Sequence, residues 1–82
     1  MSMKAKKDLL ERIVVDPKVM VGKPVIKGTR IPVYLILELL AAGMSVADVL
    51  GEYPELTRED VQAALEYASK ILQHEIVVPL EA

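Results

Sequence analysis

The sequence predicts a mainly α domain, three helices preceded by short strands and a hairpin. Three observations predict it. Residues 33–42 read VYLILELLAA, apolar nearly all round, and Gly43 follows as a stop. Two strings of Ser or Thr followed three residues later by an acid, SVAD at Ser45–Asp48 and TRED at Thr57–Asp60, mark two further helix starts. Upstream of residue 32 the chain holds β-branched pairs, prolines and glycines rather than a helical period.

The whole chain, residues 1–82, reads as a single domain. Residues 1–12 form a basic N-terminal tail or a short helix. Residues 13–31 carry short strands and the hairpin. The β-branched run from Ile13 ends at the turn signal Asp16-Pro17, and Val19–Val21 reads as a second extended piece. Pro24 biases Lys23 towards extended geometry, and Val25-Ile26, Lys27-Gly28 and Thr29–Ile31 together form a tight hairpin, with Gly28 supplying a positive φ.

Residues 32–75 form the helical bundle. Pro32 fits the first helical position, where its missing N–H removes a donor that would be orphaned anyway. A helix as apolar as Val33–Ala42 is buried on several sides, by its own domain or by a second subunit; Leu35, Ile36, Leu39 and Leu40 are the side chains assigned to a dimer interface. A short helix over Val46–Glu52 places Val46, Val49 and Leu50 on one side, and Tyr53-Pro54 ends it. The longest helix spans Arg58–His74, with Val61, Ala64, Leu65, Ala68 and Leu72 as its core stripe. Residues 76–82, opening on IVVP, make a short strand or C-terminal arm. Helix, glycine-containing turn at Ala42–Ser45, short helix, longer helix is the layout of a helix-turn-helix domain.

Composition narrows the function. A core of 82 residues is marginally stabilised and recruits a staple. There is no Cys, hence no disulfide or thiolate metal site, and the single His74 makes no metal cluster; oligomerisation is the staple left, and a homodimer the expected state. MSMKAKKDLLERIVV lacks the features of a secretory signal, and no apolar run approaches bilayer length, so the expected setting is cytoplasmic, with no membrane partner.

The net charge of −2 conceals a split. Residues 1–30 carry eight basic groups against three acidic, and residues 31–82 two against nine. Such a split fits a polyanion-binding side and an acidic side for a basic partner, or two halves that neutralise each other. The carboxylates of the helical half repel phosphate, so a DNA contact falls to Lys18, Lys23, Lys27, Thr29 and Arg30 on the hairpin side. Those cations read equally as an ordinary solvated face. Catalysis is not expected. His74 sits where a helix C-terminus favours a cation, and the acids Asp48, Glu52, Glu55, Glu59 and Asp60 sit where helix first turns and exposed faces favour them. No nucleophile–base pair, phosphate loop or cofactor site is evident.

The string Gly22-Lys23-Pro24-Val25-Ile26-Lys27-Gly28-Thr29-Arg30-Ile31-Pro32-Val33 resembles the signature of the small prokaryotic proteins grouped as domain-of-unknown-function family 433. Leu40–Ser45, Glu52–Thr57, and Glu59–Val61 leading to Ala64–Ala68 match in the same order, so the likeness covers roughly Ile13 to Ala68. Gly22, Pro24, Gly28, Thr29, Arg30, Pro32, Gly43, Tyr53 and Pro54 carry it. The resemblance implies a homeodomain-like helix-turn-helix fold. It also implies a VapB-type antitoxin role, with a PIN-like ribonuclease as the toxin partner and operator DNA as a second ligand. Only a short arm follows the last helix, little to wrap a toxin with, so the arm or the acidic helical half must do the neutralising. The alternatives are a stand-alone transcriptional regulator of the same fold and, last, a small hydrolase built on the acidic cluster.

Overall fold

The computed structural model describes residues 9–74. The basic tail over residues 1–8 and the arm over residues 75–82 lie outside the described residues. Within them the chain runs β1 (Ile13–Val14), β2 (Val25–Ile26), α1 (Val33–Ala41), α2 (Val46–Glu52) and α3 (Arg58–His74).

β1 and β2 pair antiparallel, Ile13 opposite Ile26 and Val14 opposite Val25. The other edge of β2 meets the chain as it returns. Val25 bridges Pro32, and the Ile26 N–H donates to the Ile31 carbonyl at 3.0 Å. The predicted tight turn at Lys27-Gly28 is thus present, with Gly28 at φ +83°. A second reversal joins the strands. Val19–Val21, predicted extended, instead enters a 3-10 turn over Met20–Gly22, in which Met20, Val21 and Gly22 all have positive φ. The Gly22 N–H donates to Val19 O and the Lys23 N–H to Met20 O, both at 3.1 Å. The β propensity of Val-Met-Val loses there to the need to fold the chain back between two antiparallel strands.

Pro32 lies one residue outside the helix predicted to begin with it. It is the N-cap of α1, with ψ 150°, and the free Val33 N–H donates to the Pro24 carbonyl at 2.9 Å. Gly43, at φ +102°, ends α1: its N–H donates to Leu40 O at 3.0 Å and the Met44 N–H to Leu39 O at 3.1 Å. Those two bonds are the Schellman pattern, which satisfies carbonyls that the helix end would leave orphaned. Both capping strings act as read. Ser45 Oγ accepts from the Asp48 N–H at 3.0 Å, while Asp48 Oδ2 accepts from the Ser45 N–H at 3.1 Å. Thr57 and Asp60 make the same reciprocal pair at 3.2 and 3.0 Å.

The core lies where α1 crosses α2 and α3 and the sheet closes one end. Ile26, Ile31, Val33, Ile36, Val49, Leu56, Val61 and Ala64 form one buried cluster. Ala63 and Ala64 are both fully buried, and their small side chains let α3 approach its neighbours closely. The stripe predicted for α3 is corrected in part. Val61 and Ala64 are inside, but Leu65 is 48% and Leu72 67% exposed, and Asp60 and Ala63 take their place. At 3.6 residues per turn, Leu65 and Leu72 sit roughly 100° round from the centre of the true buried face. Asp60 lies on that buried face. It is turned inward to meet Arg12 Nη1 beside β1 at 3.1 Å.

Candidate functional site

The opening motif is first a piece of architecture. Val25, Ile26, Ile31 and Val33 are buried, so its apolar positions anchor the sheet to α1. Thr29 clips the turn: its hydroxyl donates to the Ile26 carbonyl at 2.8 Å and accepts from the Ile31 N–H at 2.9 Å. That leaves Thr29 poorly placed to hydrogen-bond a phosphate. The remaining motif positions are largely backbone devices. Gly22, Gly28 and Gly43 take positive φ, Pro24 and Pro32 join the sheet to α1, and Tyr53 caps α2 next to the solvent-facing Pro54.

The cations of the hairpin side are all exposed, but only Lys23 and Lys27 border depressions, and different ones. Lys23 Nζ lies 5.7 Å from the Tyr34 ring centroid, a cation–π distance, at the mouth of α1. Lys27 borders a polar shelf with Glu11, Arg12 and Asp60. Lys18 sits in the Asp16 turn, its N–H donating to Asp16 Oδ1 at 2.9 Å, and Arg30 projects from the Gly28 turn into solvent.

In a homeodomain-like helix-turn-helix the third helix reads the groove; α3 exposes Arg58, Gln62 and Gln73 as donors, with the carboxylate of Glu59 among them, and α2 is poorer in donors. The solvent side of α2 presents Ala47, Asp48, Gly51 and Glu52, and Glu55 and Glu59 are exposed just beyond it. None of these is a hydrogen-bond donor to a base edge or phosphate, and four are carboxylates. With Arg58 the one exposed cation from Val46 to Glu59, this stretch is net negative.

The side chains assigned to a dimer interface do not act as a set. Ile36 is 0% exposed, enclosed by its own chain, and is unavailable to a second copy. Leu35, Leu39 and Leu40 are half-buried against that core. The apolar surface lies elsewhere. Between the first turns of α1 and the second half of α3 runs an open groove of about 450 Å³. Tyr34, Leu37, Tyr67, Ala68, Ile71 and Leu72 line it, with Lys23 on its rim. It exists because α3, at 17 residues, outruns the nine of α1. Sequence reasoning placed Leu72 in the core and so missed the groove; the length mismatch between the two helices was the available signal. The Arg12–Asp60 ion pair was missed too, since partners 48 residues apart leave no local pattern.

No helix among the described residues is long and apolar enough to cross a membrane. The fold and surfaces define a small helix-turn-helix domain, closed at one end by a two-stranded sheet, with an acidic end and an apolar groove. The chain belongs to the family described as "Protein of unknown function (DUF433)", which matches residues 13–68. A crystal structure of a DUF433 member from Anabaena variabilis superposes with a TM-score of 0.71 at 28% identity, covering 89% of this chain and 79% of that one. "Uncharacterized protein y4eO" of Sinorhizobium fredii is 40% identical over 58 residues, which are 71% of this chain but only 26% of that protein. An "Uncharacterized protein" of Archaeoglobus fulgidus is 88% identical over 24 residues, 29% of this chain and 67% of that one.

Proposed function

We propose that this chain is a binding module of antitoxin type, not an enzyme, whose partner is a PIN-like ribonuclease. The observation that carries the reading is the acidic end of the bundle. Asp48, Glu52, Glu55 and Glu59 are each exposed from α2 to the start of α3, against one exposed cation there, Arg58. A nuclease that cleaves RNA draws anions to its active site, and a rigid carboxylate surface competes for that place. Two reciprocal capping boxes hold the backbone beneath Asp48 and Glu59, so little ordering is lost on docking. Co-expression of the full chain with a PIN-like nuclease encoded beside it tests the reading. Co-purification that is lost in E52K/E55K, which leaves both capping boxes intact, supports it; no association, or association indifferent to those charges, rejects it.

A second reading, a regulator that binds its own operator, draws on the exposed Lys18, Lys23, Lys27 and Arg30. It requires salt-sensitive binding to the promoter that weakens when Lys23, Lys27 and Arg30 become Ala. Binding that is unchanged in that variant returns the cations to an ordinary solvated face.

A further inference from the structure

The groove between α1 and α3 is too apolar to be left to water. Leu72 and Ile71 stand open on one wall, Tyr34 on the other. Singly exposed apolar residues need no explanation, but a contiguous concave patch marks a binding surface. The chain itself contains a segment of matching chemistry. Residues 75–82, which follow α3 directly, read EIVVPLEA. In extended form Ile76, Val78 and Leu80 fall on one face of that segment, because side chains alternate along a strand. Ile76 to Leu80 then spans about 13 Å, enough to cover the two turns of α3 that form the groove wall. Glu75 and Glu81 bracket the apolar run, and the cation on the groove rim is Lys23.

We propose that the groove receives Ile76–Leu80 of a second copy of this chain, the two copies exchanging these segments about a two-fold axis. Charge fits as well as shape, since Lys23 faces a segment flanked by carboxylates. A second copy is favoured over the chain's own segment by the exit from α3. Return to its own groove demands a sharp reversal directly after His74. The four residues that would make it, Glu75, Ile76, Val77 and Val78, include no Gly, Asn or Pro, and three are β-branched. Such residues resist the left-handed conformation that closes helix ends and favour extension. Exchange also supplies the staple that a chain with no cysteine cannot obtain from disulfides. The idea goes beyond the antitoxin reading and does not rest on it.

The absence of cysteine makes the test clean. Full-length A68C and V78C are mixed, unfolded, refolded together and oxidised; A68C/V78C is oxidised alone. Exchange predicts a mixed disulfide dimer at twice 9.0 kDa in the mixture. It predicts also that L80D, which alters nothing in the described fold, sediments as a monomer with helix content intact while the wild type sediments as a dimer. An intrachain disulfide in A68C/V78C with no mixed dimer would overturn the proposal and assign the groove to the chain's own segment. No cross-link in either sample, or a dimer unaffected by L80D, overturns it as well. No nuclease enters these assays, so their outcome is separable from that of the co-purification.

Discussion

Replacing Asp60 with Ala removes two hydrogen bonds at once from a nearly enclosed carboxylate, which is 6% exposed. Asp60 Oδ2 accepts from the Thr57 N–H at 3.0 Å and closes the capping box of α3; Oδ1 accepts from Arg12 at 3.1 Å and ties that helix to the start of β1. Loss of the capping bond costs about 1 kcal/mol by analogy with helix caps generally. The Arg12 side chain is 42% exposed, so the ion pair is discounted for solvent screening and adds about 1 kcal/mol at most. The total, about 2 kcal/mol, is a large share of the stability of a domain this size. It lowers Tm by about 8–16 °C, and in urea it lowers the midpoint without changing the slope. Asp60→Asn keeps an acceptor for the Thr57 N–H and loses the charge, so it falls about halfway between. Circular dichroism followed through urea titration reads all three proteins. If Asp60→Ala lies within about 0.5 kcal/mol of wild type, the range of an ordinary surface substitution, the assignment of Asp60 as the strap between sheet and α3 is wrong.

Three further outcomes follow from single residues. Thr29→Val, nearly isosteric, strips the turn of a hydroxyl that both donates and accepts, and is expected to cost about 1–2 kcal/mol in the same titration. Thr29→Ser, which keeps the hydroxyl, is expected to cost much less. Val21→Gly is expected to stabilise the chain by about 1 kcal/mol, because Val21 holds φ +56° and is 92% exposed, so little burial is lost when the strain is relieved; a higher midpoint of thermal unfolding checks it. Gly28→Ala is expected to cost about 1 kcal/mol through its φ of +83° alone, since a Cβ there meets no atom within 4 Å.

Local signals carried most of the fold. Both capping boxes, the glycine at the end of α1 and the bounds of α2 and α3 were legible because each rests on residues within four positions of one another. What the sequence hid depends on distant partners. Nothing around Val19–Val21 announces that two strands must be joined there, so β propensity misled. Nothing around Asp60 announces Arg12, and the face of α3 was read one strip out of place, with Leu65 and Leu72 counted as core. The surfaces divide in the same way. The acidic patch was visible as charge, whereas the groove depends on where a nine-residue helix ends beside a 17-residue one.

Inhibition by the full chain of a PIN-like ribonuclease, where one is encoded beside it, is the most direct test of the proposed function. Added wild-type chain should suppress RNA cleavage stoichiometrically. E52K/E55K should require roughly 100-fold more, since two close charge pairs at about 1.5 kcal/mol each amount to about two decades. Cleavage undiminished by a fully folded wild-type chain, or suppressed equally by both proteins, would contradict it.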